Sequence, residues 1–325
     1  MNLCQIVCHT GLLAALVMPA FAVQAMEQLD DHQMAASTGQ DGITIGIQLS
    51  NSTISFSQIG LVNIDDRSNP ASSRASLVLA PTTYSPTQGI RFFSSSDPST
   101  PTTTTQPFTI KIDADGNAGA PVLNVNFALP TDLQRIRINP FSVYIADGSG
   151  SVFTSRRTNG VGTNTLRAGV TEMLRVGTNG IDIKFKAGDP IALNIQLGAE
   201  PQGHMFQFTG GSLLQVVSNA PIEVMSLNNG GTAQSSLKLN LDISATDQST
   251  GFRLNGFYGD ISASGLVIGK DDWTDPLDIR INKIVAGTEG VASATAFDGL
   301  KNGSMGNIGL EGLRVENLKI NVSGM

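Results

Sequence analysis

Apolar and polar residues alternate in eight short runs: Ile43–Leu49, Phe108–Asp113, Leu123–Phe127, Ile181–Lys186, Leu193–Leu197, Leu237–Ile243, Leu277–Asn282 and Leu318–Val322. A period of two is the signature of a strand with one dry face and one wet face. The polar partners are Asn, Lys, Asp, Arg, Gln and Thr, which favour water. Antiparallel sheets tolerate one solvated face, whereas the strands of α/β folds are buried on both sides. Between the runs stand residues that accept positive φ: Asp115-Gly116-Asn117, Asp147-Gly148, Asn159-Gly160, Asn179-Gly180, Asn229-Gly230-Gly231 and Asn302-Gly303. The pattern predicts an all-β protein with long antiparallel sheets, each with one wet face, folded over as a sandwich or irregular β-roll, with few short helices. The helical candidates are Met26–Ser37 and Thr131–Ile136, the second with Thr131 as its cap.

Gly265-Leu266-Val267-Ile268 and Gly309-Leu310-Glu311-Gly312-Leu313-Arg314-Val315 share a phrase, and each is expected to lead into an alternating strand. No fixed period of repeat-protein length accompanies them, which favours a long meandering sheet over a strict solenoid. Two stretches depart from the alternation. Residues 94–105 are Ser, Thr, Pro and a single Asp. That composition cannot bury a core and reads as a mobile surface loop, either an O-glycosylated stalk or a solvated hairpin loop. Residues 226–236, rich in Asn, Gly and Ser, read as a boundary or a long loop.

The N-terminus changes what the rest can do. Gly11–Ala22 is an apolar run too short to span a bilayer, and it ends in Ala20-Phe21-Ala22, an A-x-A cleavage pattern, with Val23-Gln24-Ala25 as a second site. The segment reads as a secretory signal, although no Lys or Arg precedes Arg67. The expected division is a signal peptide over 1–25, an N-terminal motif segment over 26–42, a β domain over 43–230, and a C-terminal β segment over 231–325 that either continues the same sheet system or stands apart from it. Both cysteines, Cys4 and Cys8, fall within the signal, so no disulfide, thiolate metal site or cysteine nucleophile is expected in the mature chain.

Charge and composition narrow the function classes. The formal charge of −7, without a basic cluster, argues against nucleic-acid binding. At 14% charged and 40% hydrophobic the chain is too apolar for disorder. His204, in Gly203-His204-Met205-Phe206, is the one histidine in the body of the chain once His9 and the near-terminal His32 are set aside, and no G-x-S-x-G elbow accompanies it. A satisfied or solvent-facing strand histidine is the expectation. Two histidines without cysteine do not supply a catalytic zinc. Asp113-Ala114-Asp115-Gly116-Asn117 opens like a calcium loop but has Ala118 and Asn124 where Gly and Glu are required, so a tight turn is expected. Asp65-Asp66 and Asp271-Asp272 are acidic loop pairs that could bind calcium weakly in an exported protein, but facing solvent is the expectation. Trp273 lies in a loop as a cap on the core or a binding contact. No catalytic residue, metal site or cofactor is expected, and the chain is read as a non-enzyme.

The segment Leu29-Asp30-Asp31-His32-Gln33-Met34-Ala35-Ala36-Ser37-Thr38-Gly39-Gln40-Asp41-Gly42-Ile43 resembles the opening of exported FilA-type pilus assembly proteins. Its pattern positions are Leu29, Asp30, Asp31, Met34, Thr38, Gly39, Gln40, Gly42 and Ile43. Val122–Leu133 and Ile308–Leu313 look similar to the same family. The resemblance implies a cell-envelope protein, in the periplasm, on the outer-membrane surface or in a fimbrium, and brings no catalytic residues. Its implied partners are other envelope or pilus proteins, met through sheet edges. The chain departs from chaperone–usher pilins in its length and its lack of a mature cysteine. An outer-membrane β-barrel is the alternative, and a carbohydrate-active enzyme on a β scaffold a more distant one. Barrels need longer strands and aromatic girdles, and aromatics here are 6%.

Overall fold

A computed structural model describes residues 42–49, 52–62, 75–81, 89–115, 121–148, 150–153, 166–198, 203–227, 233–262, 265–271, 274–287, 303–315 and 317–323. Every regular element among them is a strand. The chain runs back and forth in eight passes. The first holds β1 (Ile43–Ile47), β2 (Thr53–Ile54) and β3 (Ile59–Val62). The second returns through β4 (Ala75–Ala80), β5 (Ile90–Phe93) and β6 (Phe108–Asp115). The third is β7 (Val122–Ala128), β8 (Arg135–Ile138) and β9 (Phe141–Asp147), and the fourth β10 (Val170–Val176), β11 (Ile181–Phe185) and β12 (Ala192–Gly198). The fifth is β13 (Phe206–Gly210), β14 (Ser212–Ser218) and β15 (Ile222–Leu227). The sixth is β16 (Ala233–Ala245), β17 (Phe252–Arg253) and β18 (Phe257–Ser262). The last two are β19 (Gly265–Lys270) with β20 (Leu277–Ala286), then β21 (Ile308–Leu313) with β22 (Leu318–Val322).

Each pass pairs antiparallel with the next along its length. The strands nearest one end of the passes form an eight-stranded sheet in the order β1-β6-β7-β12-β13-β18-β19-β22. The remaining strands form a fourteen-stranded sheet. It forks at β16, whose Asp242–Ser244 pair with β14 and whose Ala233–Leu239 pair with β15. One arm runs β14-β11-β8-β5-β2 and the other β15-β10-β9-β4-β3, while β20 continues the sheet on the opposite side of β16. The apparent crossovers between sheets are therefore successive stretches of one meander, creased lengthwise. All eight alternating runs read from the sequence fall on strands, with only Gln48, Leu49 and Lys186 beyond the strand ends. β16 and the strands after it extend both sheets, so the strands from β16 to β22 share the sheet system of β1 to β15.

The crease is made by residues that bend or end strands. Gly211 carries the chain from β13 straight into β14 at φ 95°, where an added Cβ would stand 2.7 Å from Ile191 Cγ1. Only glycine combines that backbone angle with so close an approach. Inside the crease Phe92, Leu133, Phe185 and Ile191 are buried, and Phe108, Ile136, Ile183, Phe208 and Leu213 pack on them. Residues from both sheets meet there, so the apolar faces confront each other. By period-two alternation the same inner face continues away from the crease as Ile110 and Ile112, opposite Ile45 and Ile43, and as Ile320 opposite Ile268. In the far arm it continues as Leu77, between Leu61 and Ile145. Burial fades along it: Ile43 is 63% exposed and Leu61 75%. The inner face is thus an open trough, dry at its crease and wet at its rims. A smaller core of Val78, Ala80, Tyr144, Ala146 and Val152 covers the back of the far arm.

Two expectations change. Thr131–Ile136 is no helix: residues 131–132 turn, Leu133 N–H bonds to Pro130 O at 3.0 Å, and β8 starts at Arg135. Helix capping by Thr131 loses to the alternation Arg135-Ile136-Arg137-Ile138, which sends Ile136 into the crease. Residues 226–236 form no long loop, since Ser226–Leu227 end β15 and residues 233–236 begin β16, leaving only 228–232 outside the described residues. Gly265–Ile268 and Ile308–Leu313 are themselves strands, β19 and β21, and each is followed by the alternating strand expected after it, β20 and β22. The Met26–Ser37 candidate helix and the signal lie outside the described residues.

Candidate functional site

Of the pattern residues near the N-terminus, Gly42 and Ile43 are described; Leu29, Asp30, Asp31, Met34, Thr38, Gly39 and Gln40 lie outside the described residues. Gly42 has φ 59° and delivers the chain into β1. All five residues of β1, Ile-Thr-Ile-Gly-Ile, are exposed. Among the described residues β1 pairs only with β6, so its outer edge carries backbone donors and acceptors with no strand beside them. At the opposite border β22, Leu-Lys-Ile-Asn-Val, pairs only with β19. Neither strand contains Pro, and Lys319 is the single charge on the two. Few of the devices that blunt edge strands are present.

The polar groups gather at two places. His204, just before β13, is held from both sides. Its Nδ1 lies 2.8 Å from Asp260 Oδ2 on β18, and its Nε2 lies 3.1 Å from Asp271 Oδ2 beyond β19. Asp260 Oδ1 accepts the Met205 backbone N–H at 2.8 Å, and the ring stacks on Tyr258 with centroids 3.6 Å apart. A carboxylate on each nitrogen calls for two N–H donors, the imidazolium. Partial burial alone would push the His204 pKa down, but the hydrogen bonds and charges of Asp260 and Asp271 outweigh it and raise the pKa above 6.5. This is the satisfied strand histidine expected, with Asp260 an unforeseen partner. Asp271 is described; Asp272, Trp273, Asp65, Asp66 and His32 are not.

The second place was invisible to sequence reading. Arg135 and Asp182 are fully buried and joined at 3.2 Å. Arg137 adds a two-pronged contact to the same carboxylate, Nε–Oδ1 2.7 Å and Nη2–Oδ2 2.8 Å. The Arg135 guanidinium lies 4.1 Å over the Phe93 ring, and that of Arg91 lies 4.9 Å from it. Over this cluster folds the Ser/Thr/Pro stretch. Arg135 Nε donates to Ser95 O at 3.2 Å, Gln134 donates to Ser94 O at 2.5 Å, and buried Thr104 meets Ser52 Oγ at 2.9 Å. Residues 94–105 are the solvated hairpin loop expected, closed by the Phe93–Thr103 bridge and by Ser94 N–H donating to Thr102 O at 2.8 Å. Unforeseen is that the base of this loop, without apolar surface of its own, supplies a carbonyl to a buried cation. The stretch from Ser96 to Thr103 is exposed.

No group of three or more metal-ligating side chains occurs among the described residues. Asp113 is exposed on β6 opposite Asn124, and Gly116 and Asn117 lie outside the described residues. A shallow depression between β3, β4 and β9 is lined by Leu61, Val62, Leu77 and Ile145 and contains no carboxylate. The back of the sheets carries ion pairs, among them Lys238–Glu223 at 3.1 Å and Arg253–Asp275 at 2.9 Å. No helix among the described residues is long and apolar enough to cross a membrane. Residues 5–77 match a family of unknown function, DUF6160, a span that takes in the N-terminal segment and the first pass of the meander. No curated protein and no solved structure matches the chain.

Proposed function

We propose that this chain is an exported structural or adhesive protein of the cell envelope, associated with pilus or fimbria assembly, that binds other envelope proteins through sheet edges rather than by catalysis. The observation that carries this reading is β1. It is a short, uncharged, wholly exposed strand, hydrogen-bonded on one side only among the described residues and joined directly to the Leu29–Gly42 segment. An unpaired edge accepts an added strand through main-chain hydrogen bonds, with little demand on side-chain identity. The signal-like N-terminus supports export.

Two observations favour this reading over an outer-membrane barrel. The borders β1 and β22 are not paired with each other, and the back of the sheets bears ion pairs that suit water better than lipid. For a carbohydrate-active enzyme, the shallow depression offers neither a cleft nor facing carboxylates. The decisive experiment is deletion of the gene, followed by counting surface fibres by electron microscopy and measuring adhesion. Fewer fibres, restored by the wild-type gene, are expected. Unchanged fibres and unchanged adhesion would overturn the reading.

A further inference from the structure

We propose that the partner at the sheet edge is a second copy of this chain, joined head to tail with β22 of one copy against β1 of the next. The inference rests on the reading that sheet edges are the binding surface, and it adds the partner and the geometry.

Strand direction is the first argument. The eight-stranded sheet is antiparallel at every step, from β1–β6 through to β19–β22. An even number of alternating strands leaves the two borders pointing in opposite directions. A copy shifted along the sheet without rotation therefore brings its β1 antiparallel to β22, as every internal neighbour is. An odd number would have forced a parallel joint, a slightly less stable pairing.

Side-chain alternation is the second. Ile43, Ile45 and Ile47 share a face with Ile112, Ile110 and Phe108, their cross-strand partners. Ile320 and Val322 share one with Ile268 and Leu266. Each set lies on the trough side of the sheet, so the joint matches apolar face to apolar face and Thr44 to the side of Lys319 and Asn321. A one-residue slip would reverse this and is disfavoured wherever one face is dry.

The crease is the third. The chain leaves β1 toward β2 and reaches β22 from β21, so both borders run on across the crease into the second sheet. A shifted copy lays crease on crease and lengthens the trough, bringing β21 beside β2. Joining β1 to a second β1 by a two-fold axis points the two creases in opposite directions, and the trough ends at the joint. One copy spans seven strand spacings, or about 34 Å of trough. Such a heterologous contact builds an open filament unless its rotation closes a ring.

The test uses the full chain purified after export, with Cys4 and Cys8 replaced by Ser if they are retained. Thr44→Cys is made in one chain, and Lys319→Cys or Asn321→Cys in another. Under mild oxidation an equimolar mixture is expected to give a disulfide-linked dimer, each variant alone none, and a chain carrying both substitutions a ladder. Sedimentation of the unsubstituted chain is expected to show concentration-dependent growth. Ile45→Lys, which puts a charge on the apolar, trough-facing side of the edge, is expected to halt that growth with an unchanged circular dichroism spectrum. Cross-links within a single variant, or none in any mixture, would overturn head-to-tail pairing. So would a chain that sediments only as a monomer. Monomers from a protein whose deletion abolishes fibres would sink this inference and leave the proposed role standing; ladders from one whose deletion changes no fibre would do the reverse.

Discussion

Phe92 on β5 and Phe108 on β6 meet edge to face, ring centroids 5.0 Å apart and planes at 85°. The two strands follow each other in the chain but belong to different sheets. The contact spans the crease, so it reports whether the two apolar faces are pressed together.

Phe92→Ala is expected to destabilise the fold by about 3–5 kcal/mol, the range for removing a buried aromatic ring. Urea unfolding measures it. A loss under about 1 kcal/mol would mean that the sheets do not pack at the crease.

Asp182 bridges two arginines, one of them fully buried. Asp182→Ala is expected to cost about 3–5 kcal/mol because it strands the Arg135 charge. Burial opposes ionisation of Asp182, but the hydrogen bonds and charges of Arg137 and Arg135 prevail and hold its pKa below 3.8. A lowered carboxylate contributes fully above the unfolded value and loses its contribution as pH falls through the folded one. The acid limb of the stability curve should therefore flatten in the variant. An acid limb parallel to that of the wild type would contradict the assignment.

His204 has the opposite sign. Its raised pKa means that its contribution is complete below the unfolded value near 6.5 and is lost as pH rises through the folded value. NMR titration should place the midpoint above 6.5, and Asp260→Asn should move it down. A midpoint at or below the ordinary imidazole value in the wild type would refute the clamp.

Leu61 and Leu77 lie on the outer trough, 75% and 50% exposed. Leu61→Lys and Leu77→Lys are each expected to change stability by no more than about 0.5 kcal/mol. Both should reduce binding of an apolar dye such as ANS. Strong destabilisation would mean that the far arm is covered rather than open.

The back of the crease shows why part of this protein escapes sequence reading. Arg135-Ile136-Arg137-Ile138 alternates well, yet it is only four residues and follows Pro130 and Thr131, so local signals compete. β9 and β10 hide differently. Ser142 and Glu172 are buried because they bond to each other at 2.6 Å, so positions that read as solvent-facing are dry. β4 buries Ser76, Val78 and Ala80 on one face while Leu77 stays half exposed, inverting the usual assignment. In each case long-range packing overrules residue type. The edge strands were legible as strands from Ile43–Leu49 and Leu318–Val322, but nothing in either run says that it lies at a border.

The amino-acid order alone determined that the chain is all-β, that its sheets are antiparallel, and that one face of each alternating strand is apolar. Alternation acts between neighbours two residues apart, and its energetics depend only on which side chains prefer water. Tertiary structure alone decided how eight passes line up, where the sheet creases, which arginine is sealed beneath a serine-rich stretch, and which strands are left at the borders. Those outcomes come from backbone hydrogen bonds between residues far apart in the chain, and every residue other than proline carries the same donor and acceptor.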